Sequence, residues 1–473
     1  MNYYVRKIFH ALIFCLIIAI VFQWAGGDEL KYRAEKTPMI ELNNVLPEII
    51  QGTTIDQELT INCDSLDRII LTISNYGRIT NKGLLTLELI DGKNRQVLAD
   101  IKVDVSNFKA DQTFTWNLSK SILDMKNKKV ILRATSNSES GSGLSLYFLQ
   151  DNLQRENQLY LNGEPINGVL SFSLEGRSSY WFGVHYWHII IALLGYIILY
   201  YLTAAFQESQ GRLSMTTRIS KIWKRYEFLI KQLVSRDFKT KYKRSILGYL
   251  WSLLNPLLSM VVQYIVFSTI FRQDIDNFPV YLLSGIVMFN FFVDAVGQGL
   301  NAILCNASLI TKVYVPKYIY PVTKVLSCSI NLFISIIPLL VVMIITGENF
   351  TKALVLIVFP LAWVLIFSIG LALILSAAMV FFRDTQYLWG IFSLIWTYAT
   401  PLFYPAKIIP PQYAFILKIN PMYYYISFLR ELLIAGRSPG LYQYVLCSFS
   451  AIVVLCIGTI VFKKTQDKFI LYI

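Results

Sequence analysis

Long apolar runs dominate this sequence. One occupies residues 8–24, a second 185–206, and six more crowd the remainder at 247–271, 280–304, 320–346, 353–382, 388–404 and 442–462. An α-helix needs about 20 apolar residues to cross the roughly 30 Å hydrocarbon layer of a bilayer. The expectation is an α-helical polytopic membrane protein with eight transmembrane spans, two flanking a hydrophilic insert and six packed together. Composition agrees, since only 15% of the 473 residues are charged and mean hydropathy is +0.49. That is too little charge to cover a soluble enzyme of this size. The first run follows Arg6 and Lys7 and precedes Ala25-Gly26-Gly27, as a cleaved signal peptide would. Its length of about 17 residues exceeds a usual signal-peptide core and favours an uncleaved anchor.

Lys and Arg outnumber Asp and Glu 43 to 30, a net charge of +13 that in a soluble protein would suggest nucleic acid. The location of the charge argues otherwise. Residues 207–246 hold eleven basic and three acidic side chains, which the positive-inside rule places in the cytoplasm. Eight spans then put both termini in the cytoplasm, consistent with Arg6 and Lys7 at one end and Lys463, Lys464 and Lys468 at the other. Lys312 and Lys317 fall on the same side, and the insert at 25–183 falls on the extracytoplasmic side. The insert carries 17 basic and 20 acidic residues, so the positive excess belongs to the membrane and cytoplasmic parts. Six Cys and three His leave little for a metal cluster. Only Cys63 lies outside an apolar stretch, so no disulfide staples the insert.

The insert alternates apolar and polar residues at period two in Ile69-Leu71-Ile73, Leu85-Leu87-Leu89, Val97-Ala99-Ile101-Val103, Phe114-Trp116-Leu118, Val130-Leu132-Ala134, Leu144-Leu146-Phe148 and Leu170-Phe172-Leu174, with turn material such as Asp91-Gly92 between. Seven or more short strands argue for an all-β sandwich of the jelly-roll or immunoglobulin-like kind. Many such sandwiches bind carbohydrate, although the fold alone does not establish it. Trp116 shares a strand face with Phe114 and Leu118 and is expected in the core. Tyr76, Tyr147, Tyr160, Tyr180 and Trp181 are candidates for stacking on sugar rings, the last two also as interfacial anchors before a span.

Between the second span and the bundle, Ile219, Ile222, Trp223, Tyr226, Leu229, Ile230 and Leu233 recur at helical spacing among Lys221, Lys224, Arg225 and Lys231. This is the pattern of a helix lying in the cytoplasmic headgroup layer. The stretch that follows, from Ser235-Arg236-Asp237-Phe238 through Tyr242-Lys243-Arg244-Ser245-Ile246-Leu247-Gly248 to Trp251 and Asn255-Pro256, resembles the opening segment of the membrane subunits of ABC-2-type exporters that carry polysaccharides. In the same order, Asn306 to Pro316 resembles that family's cytoplasmic loop between its second and third spans, Phe382-Arg383-Asp384 the end of its fourth span, and Thr400-Pro401-Leu402-Phe403-Tyr404-Pro405 with Asn420-Pro421 its extracytoplasmic hairpin.

The resemblance runs from about Arg218 to the C-terminus and implies a six-span ABC-2 permease bundle. The two-anchor extracytoplasmic sandwich is an addition to that pattern. The expected organisation is an anchor at 1–24, the sandwich at 25–183, a second span at 184–206, a basic interfacial region at 207–246 and the permease domain at 247–473.

The chain contains no Gly-x-x-x-x-Gly-Lys-Ser/Thr phosphate loop. It is therefore expected to bind no cofactor and to be no enzyme itself. The resemblance implies a separate ATP-binding cassette subunit that uses ATP and magnesium, with two copies of each chain in a bacterial cytoplasmic-membrane complex. It also implies ATPase-coupling roles for Ser308, Leu309, Lys312, Val313 and Tyr314, with Arg236, Arg383 and Asp384 nearby.

A polar polymer sliding through the bundle needs aromatic faces that grip sugar rings loosely. Tyr249, Trp251, Phe292 and Trp396 are channel candidates, alongside Tyr264, Phe289, Phe291, Trp389 and Tyr398. Asp294 is an intramembrane carboxylate and so a functional candidate by default. Pro401, Pro405, Pro410, Pro411 and Pro421 break the stretch 388–433, and irregular backbone at membrane depth is tolerated only inside protein or beside water. A re-entrant hairpin closing the outer mouth fits, with Phe403, Tyr404 and Tyr413 as gate candidates. The expected function is export of a lipid-linked cell-surface polysaccharide such as an O-antigen-like or teichoic-acid-like polymer. Export of a small lipid or drug, and a receptor or scaffold role with a glycan-binding outer domain, are the alternatives.

Overall fold

The computed structural model describes residues 2–39, 44–78, 81–108, 110–150, 157–210, 215–242, 248–271, 275, 277–312 and 315–472. They form two compact units, one made of Met1–Leu30 and Trp187–Ile473, the other of Lys31–Tyr186.

The first unit is helical. Its main elements are α1 (Asn2–Gly26), α2 (Tyr186–Ser209), α3 (Met215–Tyr242), α4 (Trp251–Phe271), α5 (Phe278–Leu300), α6 (Ile319–Ile345), α7 (Val358–Phe381), α8 (Thr385–Ala399), α9 (Pro421–Leu433) and α10 (Leu441–Thr465). Among the described residues, seven helices are long and apolar enough to cross a membrane, namely α1, α2, α4, α5, α6, α7 and α10. The stretch expected as the eighth span is instead the 15-residue α8 followed by irregular chain. At 1.5 Å per residue, α8 is about 22 Å long, short of a full crossing. It ends because Pro401 forces the residue before it out of helical geometry, and Thr400 is indeed extended at φ −102° and ψ 128°.

α5 is the central rod, with 72% of its span buried by neighbouring helices. α7 and α10 approach closely enough that a Cβ on Gly370 would lie 2.6 Å from the backbone nitrogen of Leu455, and one on Gly458 would strike the carbonyl of Gly370. Glycine is required at both positions because two backbones meet there.

The second unit is an antiparallel β-sandwich with its own core. Its strands are β1 (Tyr32–Lys36), β2 (Asn44–Val45), β3 (Thr54–Thr60), β4 (Ser65–Ser74), β5 (Leu84–Asp91), β6 (Val97–Asp104), β7 (Gln112–Ile122), β8 (Lys129–Ser136), β9 (Ser145–Leu149), β10 (Leu159–Leu161), β11 (Glu164–Ile166), β12 (Val169–Leu170) and β13 (Phe172–Ser179). One sheet runs β1-β13-β4-β9-β12 with β2 on β9 and β7 on β4, and the other runs β11-β10-β3-β8-β5-β6. The inward residues are those the alternation marks, including Ile69, Leu71, Ile73, Leu85, Leu87, Leu89 and Leu132, with Trp116 only 2% exposed among them. Gln57 is fully buried between the sheets. Its amide donates to the carbonyls of Glu58, Asn157 and Gln158, and its oxygen accepts from the backbone of Leu170 at 2.9 Å.

Candidate functional site

At one end of the helical unit, α3 is bound to the turn that follows α5. Leu233 of α3 is buried in a cluster with Ile303 and Ile310 of that turn, Ile319 and Tyr320 of α6, and Phe462 and Phe469 at the end of the chain. Tyr226, Leu229 and Ile230 pack on the same cluster, while Lys224 and Lys231 are exposed. The side chains of Ile219, Lys221, Ile222 and Trp223 lie outside the described residues. Polar contacts fix the register. Arg236 donates to Asn306 Oδ1 at 3.3 Å and to Asp237 at 2.9 Å, and Asp237 pairs with Lys324 of α6 at 2.9 Å. Asn306 in turn donates to the carbonyl of Ala302 at 2.8 Å.

The turn itself is two short helical pieces, Ala302–Cys305 and Ala307–Ile310. Its inner face is anchored, while on the outer face Ser308 and Lys312 are exposed and Leu309 is half-buried. Val313 and Tyr314 lie outside the described residues. Arg383 and Asp384 are exposed at the turn between α7 and α8. Of the expected coupling residues, the structure therefore brings Arg236 to the turn. Asp237 and Asn306 stand in the sequence motifs without a role of their own, and Lys324, which completes the link, was not singled out there. Asp237 and Lys324 lie 87 positions apart, so no local pattern joins them.

A groove of mixed polar and apolar lining runs along α5. Two cavities of about 290 and 320 Å³ share Asn290 and Asp294. The first is also lined by Trp251, Ser252 and Asn255 of α4 and by Asn331 and Ser335 of α6. The second is lined by Gln263 of α4, Ser393 and Thr397 of α8, and Phe403. Asn290 and Asp294 are four residues apart and share a helix face. Phe292, between them, points the other way. It is fully buried, with ring centroids 4.9 Å from Trp396, 5.7 Å from Phe367 and 5.8 Å from Trp389. Phe292 is thus packed in the core and lines neither of the two cavities. Trp251 is 43% exposed beside the first cavity. The side chain of Tyr249 lies outside the described residues.

Beyond α8 the chain is irregular, and its carbonyls are gripped by one buried arginine. Arg430 of α9 donates through Nη1 to Pro401 O at 2.8 Å, through Nη2 to Leu402 O and to Tyr281 O, each at 3.1 Å, and through Nε to Tyr281 O at 3.3 Å. Its guanidinium lies 3.3 Å from the centre of the Tyr281 ring. The Tyr281 hydroxyl donates to Tyr404 O at 2.8 Å and Pro401 O at 3.1 Å.

Asn420 adds a second tie, accepting from Trp396 Nε1 at 2.7 Å and donating to Thr400 Oγ1 at 2.8 Å while it caps α9. Trp389 and Trp396 follow α5 through Phe292, and Pro401 reaches Tyr281 in the first turn of α5. α8 and the segment after it therefore accompany α5 over most of its length. Of the expected gate residues, Phe403 lines the second cavity and stacks on Phe267 at 5.4 Å, Tyr404 donates to Tyr398 O at 2.6 Å, and Tyr413 is exposed. Arg430 was missed in the sequence, although a lone arginine inside an apolar helix was a usable signal.

In the β-sandwich unit, two of the expected sugar-stacking residues belong to one network. Tyr147 donates to Asp111 at 2.5 Å, and Asp111 also accepts from Ser74 Oγ at 3.0 Å and the Asn75 backbone at 2.8 Å. The Tyr147 hydroxyl, with these further donors, holds the Asp111 carboxyl below its ordinary value despite some opposing burial. Tyr76, 41% exposed with φ +56°, donates its backbone N–H to Ser74 Oγ at 3.2 Å and its hydroxyl to Leu46 O at 2.6 Å. Arg78 stacks on the Tyr76 ring at 5.0 Å and pairs with Glu48 at 2.6 Å. Tyr160 is half-buried on β10, Tyr180 is half-buried, and Trp181 is 70% exposed beside His185.

The sequence model of the ABC-2 type transporter family matches residues 228–434, a range holding the groove, the turn and the arginine-held segment. Lys31–Tyr186 lies outside the match. The O-antigen export system permease protein RfbA of Myxococcus xanthus is 31% identical over 246 residues, covering 52% of this chain and 95% of that protein. RfbA of Klebsiella pneumoniae is 29% identical over 252 residues, covering 51% and 93%. The polysialic acid transport protein KpsM of Escherichia coli is 26% identical over 249 residues, covering 50% and 93%.

Proposed function

The chain belongs to the ABC-2 type transporter family, and we propose that the groove along α5 is one wall of the path by which it passes a lipid-linked cell-surface polysaccharide out of the cytoplasm. It is a multi-pass membrane permease subunit of a polysaccharide-exporting ABC transporter, and a separate subunit hydrolyses ATP. The carrying observation is the set of amides and hydroxyls that lines the two cavities meeting at Asn290 and Asp294. Such a set offers replaceable hydrogen bonds to sugar hydroxyls, and its open side on α4 and α8 is where a second copy of the chain would complete a channel. The exposed apolar faces of α4 (Val262, Ile265, Val266) and α8 (Ile391, Leu394, Ile395) support that homodimeric reading.

In this reading the end bearing α3 and the chain terminus is cytoplasmic. The segment after α8 then completes an eighth crossing and forms the outer gate, and the β-sandwich is extracytoplasmic. The ATPase subunit, carrying ATP and magnesium, docks on the exposed face of Ser308 and Lys312. α5 joins that docking turn at one end to Tyr281, which holds the gate, at the other. The outer sandwich meets emerging glycan at the exposed ring of Tyr76.

The test is Asn290→Trp, which fills the groove from its middle. Surface polymer should fall more than about tenfold, a loss of over 1.4 kcal/mol in effective flux terms, while the chain still copurifies with its ATPase subunit. Wild-type export by this variant would refute the groove as the path.

A further inference from the structure

We infer that a third cavity, remote from the groove, is a binding site for one anionic phospholipid of the membrane leaflet at the α3 end. The cavity measures about 410 Å³ and opens between α6, α7 and α10. Its wall is apolar along Val322, Ile369, Leu373, Leu455 and Phe462, and none of its lining residues lines either cavity of the groove. The polar groups stand together at one end. Tyr318 lies just before α6, and Lys463 and Gln466 lie at the end of α10. Leu455 is two turns deeper along α10 than Lys463, so the apolar part points toward the bilayer interior.

The same end is positively charged. Lys463 and Lys464 are exposed, and Lys317 holds the chain end in place by donating to Gln466 O at 2.6 Å. Among the described residues no Asp or Glu lines the cavity, the nearest in sequence being Asp467, which is exposed. An apolar slot within membrane-spanning helices is reached only from the bilayer, so its occupant is an amphiphile. A lysine at the mouth selects a negatively charged headgroup, and a tyrosine beside it suits the interfacial level.

The cavity also borders the cluster that joins α3 to the turn after α5, since Leu373 and Phe462 belong to both. Lipid occupancy therefore stiffens the very contact through which the ATPase subunit would move the bundle. The inference rests on reading these helices as membrane spans, not on the identity of the polymer.

The complete chain with its ATPase subunit, reconstituted in nanodiscs holding equal phosphatidylglycerol and phosphatidylcholine, is released into detergent and its retained lipid counted by native mass spectrometry. Wild type should retain phosphatidylglycerol over phosphatidylcholine by roughly fivefold, the contribution of one lysine at an anionic lipid surface. Lys463→Glu should abolish the preference, Lys463→Arg should restore it, and Thr459→Trp, at the slot wall, should lower retention of both lipids. Equal retention of the two lipids by wild type, an unchanged preference in Lys463→Glu, or displacement of phosphatidylglycerol by added polyprenyl phosphate would each overturn the assignment. Export of polymer, measured on the same variants, separates this outcome from failure of the transport reading.

Discussion

Arg430→Lys keeps the charge in place and removes the geometry, so it isolates what the guanidinium does. The native side chain spreads four hydrogen bonds over the carbonyls of Tyr281, Pro401 and Leu402. Two of those acceptors have other partners, because Ser284 Oγ also donates to Tyr281 O and the Tyr281 hydroxyl also donates to Pro401 O. Leu402 O depends on Arg430. A lysine ammonium has its donors on one atom and cannot reach three carbonyls arranged around a planar fork.

Losing one charge-assisted bond and leaving one buried carbonyl unmet costs about 2 kcal/mol, which should fall on the stretch 400–405 and not on the whole bundle. A local opening made easier by about 2 kcal/mol speeds amide exchange roughly 30-fold. Hydrogen exchange on the purified complex, read at Leu402, Phe403 and Tyr404, is the assay, with the amides of α7 as the unchanged reference. Arg430→Met, which strands the carbonyls altogether, should cost about 3–5 kcal/mol and impair assembly. If Arg430→Lys exchanges at Leu402 to Tyr404 as slowly as wild type, the arginine is not what holds this segment.

Other outcomes follow from packing and titration. Gly458→Leu places a side chain against the carbonyl of Gly370 and should destabilise the helical unit by about 3 kcal/mol. The check is thermal unfolding in detergent, and an unchanged midpoint would remove the close α7–α10 contact. In the β-sandwich, Asp111 has a depressed pKa in the folded state, so its contribution is present above the unfolded value of about 3.9 and is lost as pH falls through the lower folded value. The thermal midpoint of residues 31–186 should drop as pH falls from about 5 toward 3. Asp111→Asn should flatten part of that slope, with Asp64 and Glu48, also depressed, supplying the rest. A slope identical to wild type would contradict the role given to Asp111.

What was readable in the sequence was whatever depends on periodicity. β4 to β9 and β13 show themselves because most of their inward residues are apolar, with buried serines only at places such as Ser65, Ser74 and Ser178, and the long spans declare themselves by length. β3 hid because its inward row Ile55-Gln57-Leu59 contains a buried glutamine whose partners, Asn157, Gln158 and Leu170, are about a hundred residues away. β1 hid because it is an edge strand with four of its five residues exposed. Phe292 sits apart from both cavities because Asn290 and Asp294, two positions to either side of it on the helix, mark a different face from its own. Arg430 lay in plain view, yet its meaning requires carbonyls 28 and 149 positions away, and those are set by the tertiary fold.

α5 makes these two distant arrangements one mechanical question. Its 23 residues span about 34 Å, with Tyr281 in the first turn holding the segment after α8 and Asn306 just past the last turn held by Arg236. A rod buried along most of its length tilts as a unit more readily than it bends, so a push on the turn should reach the carbonyl lock. Arg236→Ala removes the contact to Asp237 at 2.9 Å and the 3.3 Å hydrogen bond to Asn306, the latter worth about 1 kcal/mol, and leaves the shared apolar cluster in place. The complex should still assemble and hydrolyse ATP, while polymer exported per ATP falls roughly fivefold. The exchange of Leu402 to Tyr404 should also cease to respond to ATP, whereas Arg236→Lys should retain part of the response. The decisive reading is the pair of measurements on Arg236→Ala. If export per ATP and the response at Leu402 both stay at wild-type levels, the turn does not act on the far segment through α5.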